Sequence, residues 1–502
     1  MEVQDESEDK LEESVLEDVS STDFESVDKK PVGSTSYNEI FFIDQGSQSN
    51  IYCSTKLRYP STTQERFLVG TLKGKVSCLE RCEVADAREK FHSSHDMQAR
   101  EVYFSYIPGD AEIISMDAFY KHQTIRESKR LIVGVTLILL KPYDKDVPPK
   151  HFFNIYNALE PGQEFDLDKL AQVCQHQRLG FIPYHLFHAN IYVNGGYETV
   201  FLLAGSDQQI HLFRGDDQLK FDEHPCGKYF PEFTDIPGRV IWMDVRNCDS
   251  CTRVSVFGCD NGYLRVSVTD VCKAEVLRTW SLPMDGPISS VRLFTLFAEK
   301  EITFNELQDT VVSPRSSLCS SSDINLLVTS ALEVSAVFLN VADKGLDDMV
   351  ILNQSDQYDS VTCSCVTDID CDGNQEIILG TYGQELLVYK WFAPSNGFSH
   401  LVHFDLIWQK QFSKPLLSIH GLDLMGDGMQ EMVVVSLTGV HILQHEVEQA
   451  AEKLLQKMIE AFPKKALLDN KNKSQEDDSN TSELDDVIRS ICSSNNSYNE
   501  IT

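Results

Sequence analysis

Asp368, Asp370, Asp372, Asn374 and Glu376 stand at alternate positions just before the apolar run Ile377-Ile378-Leu379-Gly380, with Gly373 inside the series. Carboxylates spaced this way around a glycine turn can converge on one point. Hard oxygen donors in that number suit Ca²⁺, and Asn374 can add a carbonyl. These five residues are the candidate metal ligands. The ion's expected role is to stiffen the loop, because nothing nearby looks like a nucleophile. The competing reading is an Asx-rich hairpin turn without metal, since Asp and Gly are ordinary turn residues. An EF-hand is excluded: it needs flanking helices and a Glu at the twelfth position, where Leu379 stands instead and a strand follows the loop.

A degenerate copy, Asp423-Leu-Met425-Gly-Asp427-Gly428-Met-Gln-Glu431, follows 55 residues later with Met425 in place of the second carboxylate, and is expected to hold no metal. Cys248 and Cys251 have the spacing of a zinc knuckle, but no second Cys or His pair completes four ligands. His185 and His188 lie three apart in the strand-like YHLFHANIYV, a spacing that sends them to opposite faces as packing or surface residues. No nucleophile elbow, phosphate loop or His-Glu-x-x-His helix occurs, so no catalytic residue is assigned. The acidic loop itself resembles the calcium loops of integrin-like propeller blades.

The elements that must position these loops recur along the chain. An apolar run, a turn with Gly or a small polar residue and a second strand-like run occur at 67–79, 131–140, 200–213, 254–268, 326–339, 377–389 and 432–443. Each is expected to form a β-hairpin. The first run is nearly continuous, as in a strand buried on both faces, and the second tends to alternate. The copies start roughly 50 to 70 residues apart, room for four strands and their loops, which is the size of a propeller blade. The expected fold is all-β, a seven-bladed β-propeller over residues 38–445. Two β-sandwiches would also give many short strands, but the repeated hairpin favours radial repetition.

Flanking segments differ in kind. Residues 1–37 hold twelve acidic against three basic residues, and 466–502 are similarly acidic, so both are expected to be disordered tails. Residues 298–324 are polar and Ser-rich and should loop out of the fifth blade. Residues 446–465 are expected to form an amphipathic helix, with Val447, Ala451, Leu454, Leu455, Met458 and Phe462 on one stripe and Pro463 ending it. The formal net charge of −33 disfavours nucleic acid and anionic lipid as partners. The longest uncharged apolar run, Leu131 to Leu140, is about half what a membrane span needs. The N-terminus lacks the order of a secretory signal, so a cytoplasmic location with fourteen reduced cysteines is expected.

Several colinear strings carry a family resemblance: SQSNIY (47–52), TLKGKV (71–76), YIPGDAEIISMDAF (106–119), LIVGVT (131–136), PGQEFDLDKLAQ (161–172), DGPIS (285–289), SDQYDSV (355–361), YGQELLVYK (382–390), and GDGMQE with VSLTGVHILQH (426–445). The chain resembles the kaptin family through nearly its whole core. That resemblance implies a non-enzymatic scaffold subunit of the KICSTOR complex. Such a subunit pairs with a second integrin-repeat-like propeller, helps hold the GATOR complex at the lysosomal membrane and restrains mTOR signalling on amino-acid or glucose starvation. It also implies a second possibility, association with F-actin in lamellipodia and stereocilia, for which no residue can be named. Actin is itself acidic, and like fields slow association.

Overall fold

Runs such as Phe67-Leu68-Val69 and Ile377-Ile378-Leu379 are apolar at every position, although alternate side chains of a strand point to opposite faces. Such a strand is stable only with both faces covered. The computed structural model describes residues 37–57, 65–81, 97–123, 128–140, 148–157, 167–248, 251–297, 323–370, 372–392, 402–426 and 429–445. In it the covering is supplied by neighbouring blades: seven four-stranded antiparallel sheets make a seven-bladed propeller.

The first blade comprises β2 (Ser54–Leu57), β3 (Arg66–Gly70), β4 (Val76–Arg81) and β5 (Met97–Val102). The second comprises β6 (Ala111–Gln123), β7 (Ser128–Leu139), β8 (Lys150–Asn157) and β9 (Cys174–Leu179). The third holds β10 (Pro183–Val193), β11 (Gly196–Gly205), β12 (Ile210–Gly215) and β13 (Phe221–His224). The fourth holds β14 (Val240–Asn247), β15 (Thr252–Cys259), β16 (Tyr263–Asp270) and β17 (Glu275–Pro283). The fifth is β18 (Ile288–Phe294), β19 (Asn325–Ser330), β20 (Ala336–Phe338) and β21 (Met349–Ile351), and the sixth is β22 (Val361–Thr367), β23 (Glu376–Thr381), β24 (Glu385–Phe392) and β25 (His403–Gln411). The seventh is built from both ends of the fold. β26 (Leu416–Leu422), β27 (Glu431–Ser436) and β28 (Gly439–His445) are completed by β1 (Tyr37–Asp44), which pairs antiparallel with β28.

The core lies between the blades. Leu68 packs with Ile113, Met116 and Val133 of the second blade, whereas Phe67 and Val69 pack with Val433 and Val435 of the seventh. Ile378 likewise joins Ile419 and Val434, while Ile377 and Leu379 face Phe294 and Leu327. Every blade junction holds a cluster of this kind. The one between blades seven and one closes the ring, helped by the Lys56 Nζ to Gly421 carbonyl bond at 2.5 Å and the Arg81 to Met425 carbonyl bond at 2.7 Å.

Six of the seven predicted hairpins are the second and third strands of their blades: β3–β4, β11–β12, β15–β16, β19–β20, β23–β24 and β27–β28. The seventh is a correction. Residues 131–140 are no hairpin; Leu131 to Leu139 belong to the single strand β7, which pairs β6 on one side and β8 on the other. Gly134, at its centre, makes room rather than a turn. A Cβ there would sit 2.9 Å from the Phe201 ring and 3.0 Å from Leu186, both on the third blade. The helix expected at 446–465, both acidic tails except Tyr37, which opens β1 rather than ending the tail, and nearly all of the 298–324 loop lie outside the described residues; that loop joins β18 to β19 within the fifth blade. Among the described residues, no helix is long and apolar enough to cross a membrane.

Candidate functional site

The two acidic loops occupy the same place in consecutive blades. Asp368 to Glu376 joins β22 to β23, and Asp423 to Glu431 joins β26 to β27. In the first loop, Asp368 takes the backbone N–H groups of Asp372 (3.1 Å, Oδ1) and Gly373 (2.9 Å, Oδ2), and Asp370 Oδ1 also accepts from Asp372 N–H at 3.2 Å. Glu376 is fully buried at the head of β23, and its Oε2 accepts the Ile369 N–H at 3.0 Å. Carboxylate oxygens of Asp368, Asp370 and Glu376 come within 4.8 Å of one another. Asn374 is not brought in with them: its N–H and side-chain amide both donate to Asp372, at 2.7 and 3.0 Å, and its backbone bridges to Phe297.

A cation already stands among these acids. Lys390 Nζ lies 2.7 Å from Asp370 Oδ2, 2.6 Å from Asp372 Oδ2 and 2.9 Å from Glu376 Oε1. The strand register explains its position: Ile377 pairs with Tyr389, which sets Lys390 beside Glu376 across the hairpin. Burial works against the ammonium charge, but Asp370, Asp372 and Glu376 outweigh it and raise the lysine pKa. Burial, aided by Asp370, pushes the Glu376 carboxyl up to about 7 against the pull of Lys390. The oxygen donors suit Ca²⁺ in kind, yet an ion between Asp370 and Glu376 would meet the ammonium at contact distance. With Lys390 in place a divalent cation would have to displace the ammonium to reach these oxygens. In the second loop the same cross-strand position is Gln444, whose amide donates to Glu431 Oε1 at 3.4 Å. Asp427 and Gly428 of that loop lie outside the described residues.

The ring axis is the other place where chemistry could reside, and aromatic groups cross it. Tyr52, between β1 and β2, donates its hydroxyl to the Ile241 carbonyl of β14 at 2.7 Å. Its ring lies 5.3 Å from that of His185 and 5.5 Å from that of Trp242. His185 stacks on Trp242 at 4.5 Å, and the Arg292 guanidinium caps the indole at 4.9 Å. A side chain at the entry to the first blade thus touches the third and fourth across the ring. His185 accepts the Met243 N–H at 3.3 Å, and burial together with Arg292 pulls its pKa down to about 3, so it is neutral. His188 turns the other way, to Asp117 Oδ2 at 2.8 Å, whose charge overcomes burial and raises the imidazole pKa.

One arrangement is not apparent from sequence spacing, because Glu39 lies 402 positions from His441. Ser436 Oγ is 3.2 Å from His441 Nε2, and His441 Nδ1 is 3.0 Å from Glu39 Oε1. The connectivity is that of a nucleophile, base and orienting acid. The accessibility is not: Ser436 is buried, and its hydroxyl donates to the Gly439 carbonyl at 3.1 Å. The trio fastens the turn of the last hairpin to β1. Cys248, also buried, has its N–H bonded to the Thr252 carbonyl, and Val271 N–H bonds the Cys251 carbonyl.

The family model for the KICSTOR complex protein kaptin matches residues 37–455. Kaptin of Mus musculus is 42% identical over 417 residues, covering 82% of this chain and 89% of its own length. Among solved structures, BBS1N in complex with ARL6DN is 9% identical with a TM-score of 0.45, over 83% of this chain and 98% of its own. Raptor of Chaetomium thermophilum is 11% identical with a TM-score of 0.45, over 82% of this chain and 30% of its own. Structural likeness at this level bears on neither partner nor function.

Proposed function

Because the chain belongs to the kaptin family, we propose that it is a non-enzymatic scaffold subunit of the KICSTOR complex. In this reading it helps hold the GATOR complex at the lysosomal membrane and restrains mTOR signalling when amino acids or glucose are scarce. The observation that carries the proposal is the family match, which runs from the first strand of the ring to beyond the last. Two features of the ring support it. The axis, where a propeller enzyme would place its site, holds Tyr52, His185, Trp242 and Arg292 packed on one another. The described Ser–His–acid contact has its hydroxyl buried and already bonded. Affinity purification of the tagged full chain from starved cells tests the proposal. Recovery of the partner propeller and the other KICSTOR subunits is expected, and a folded bait that recovers none of them rejects it.

A further inference from the structure

The acidic loop of the sixth blade has the sequence of a calcium loop, and a lysine at its centre. Asp370 and Glu376 are buried, so their charges need a partner close by. Lys390 is within 2.9 Å of Asp370, Asp372 and Glu376 together, and its side chain is itself only 14% exposed. Its ammonium, a compact point charge on a flexible stem, donates to Asp370 Oδ2 and stands within ion-pair distance of Asp372 and Glu376. Backbone N–H groups also serve these carboxylates. N–H groups of Asp372 and Gly373 bond Asp368, the Ile369 N–H bonds Glu376, and Gly373 takes φ +91°.

We propose that this loop carries its own cation: the Lys390 ammonium, brought in by the β23–β24 register, fills the place a divalent ion would take, and the sixth blade is locked without metal. The seventh blade is a consistent variation. Met425 replaces the second carboxylate, and the cross-strand partner of Glu431 is the neutral Gln444, so acid and counter-charge are reduced together. Removing the lysine charge should leave the loop with one positive charge fewer against Asp370, Asp372 and Glu376, which a divalent ion can then supply.

The test is thermal unfolding of the full-length protein and its variants in millimolar Ca²⁺ and in chelator. The wild-type midpoint should be the same in both. A higher wild-type midpoint in Ca²⁺ would overturn the proposal and assign the loop to the metal. Lys390→Met should lower the midpoint in chelator by roughly 3–6 °C, the scale for breaking a buried ion pair in a ring of this size. Ca²⁺ should restore part of that loss; a variant as stable as wild type in chelator would refute the lock. If Lys390→Met yields no folded protein, Asp372→Asn decides. It keeps the lysine, and its loss should be equal in Ca²⁺ and in chelator. A loss seen only with Ca²⁺ present would contradict the proposal.

Discussion

Replacing His185 with Phe should make the stability gap between wild type and variant depend on pH, because the axis holds that imidazole neutral. Phe keeps a ring against Tyr52 and Trp242 but cannot accept the Met243 N–H. At pH 7.5 the variant should therefore be less stable by about 1–3 kcal/mol, the penalty of an unpaired buried donor. The folded-state pKa of His185 is depressed to about 3, against an ordinary value of 6.5. Below pH 6.5 the unfolded chain takes up a proton that the folded one refuses. Its stabilising contribution is thus full above that value and falls as the solution is acidified towards pH 3. Integrated from pH 7.5 to 5.0, the wild type loses about 2 kcal/mol through this group, and the variant does not. For a ring of about 400 residues, unfolding entropy near 2.1 cal/mol/K per residue converts this to about 2 °C. The assay is thermal or urea unfolding of both proteins at the two pH values, read as the change in their difference. His420, whose pKa burial also drives far down, contributes equally to both proteins and cancels. A gap unchanged between pH 7.5 and 5.0 would mean that His185 protonates freely, and would refute a closed axis.

Three further outcomes follow from individual contacts. Glu232→Ala should cost about 3–5 kcal/mol in urea unfolding, because it strands the buried Arg253 guanidinium, 4.0 Å over the Phe230 ring and bonded to Glu232 at 2.8 Å. Gly262→Ala should lower the unfolding midpoint: at φ +81° a side chain costs about 1–2 kcal/mol, and its Cβ would fall 2.1 Å from the Met284 carbonyl oxygen. Deleting residues 1–44 removes β1, bares the β28 edge and uncovers Val440 and Ile442. Light scattering after size exclusion should then show oligomers, and a monodisperse monomer would contradict closure by the N-terminal strand.

Much of the ring was legible because its rule is local. A second strand covered by blades on both sides must be largely apolar, and Val200 to Ala204, Ile377 to Leu379 and Met432 to Val435 read that way without knowledge of neighbours. The misreading at 131–140 has the same origin. Gly134 looks like a turn residue in sequence, and only the Phe201 ring of the next blade shows that it is a space-maker. The acidic loop was visible as spacing, but its counter-charge was not. Glu376 and Lys390 are fourteen positions apart and meet only through the hairpin register. That register was available: folding IILGTYGQELLVYK about Gly383 places the two opposite each other. Nothing comparable marks Tyr52, whose partners Ile241 and His185 lie on blades across the ring. The link from Glu39 to His441 likewise depends on the two ends of the fold sharing a sheet.

The central claim, that this ring acts as a subunit of an assembly, is met most directly by co-expressing the full chain with the KICSTOR subunits and measuring stoichiometry across the size-exclusion peak. Co-elution with the second propeller subunit at a fixed ratio that survives calcium chelation is the expected result. Elution of a folded chain by itself, with the other subunits assembling without it, would contradict it.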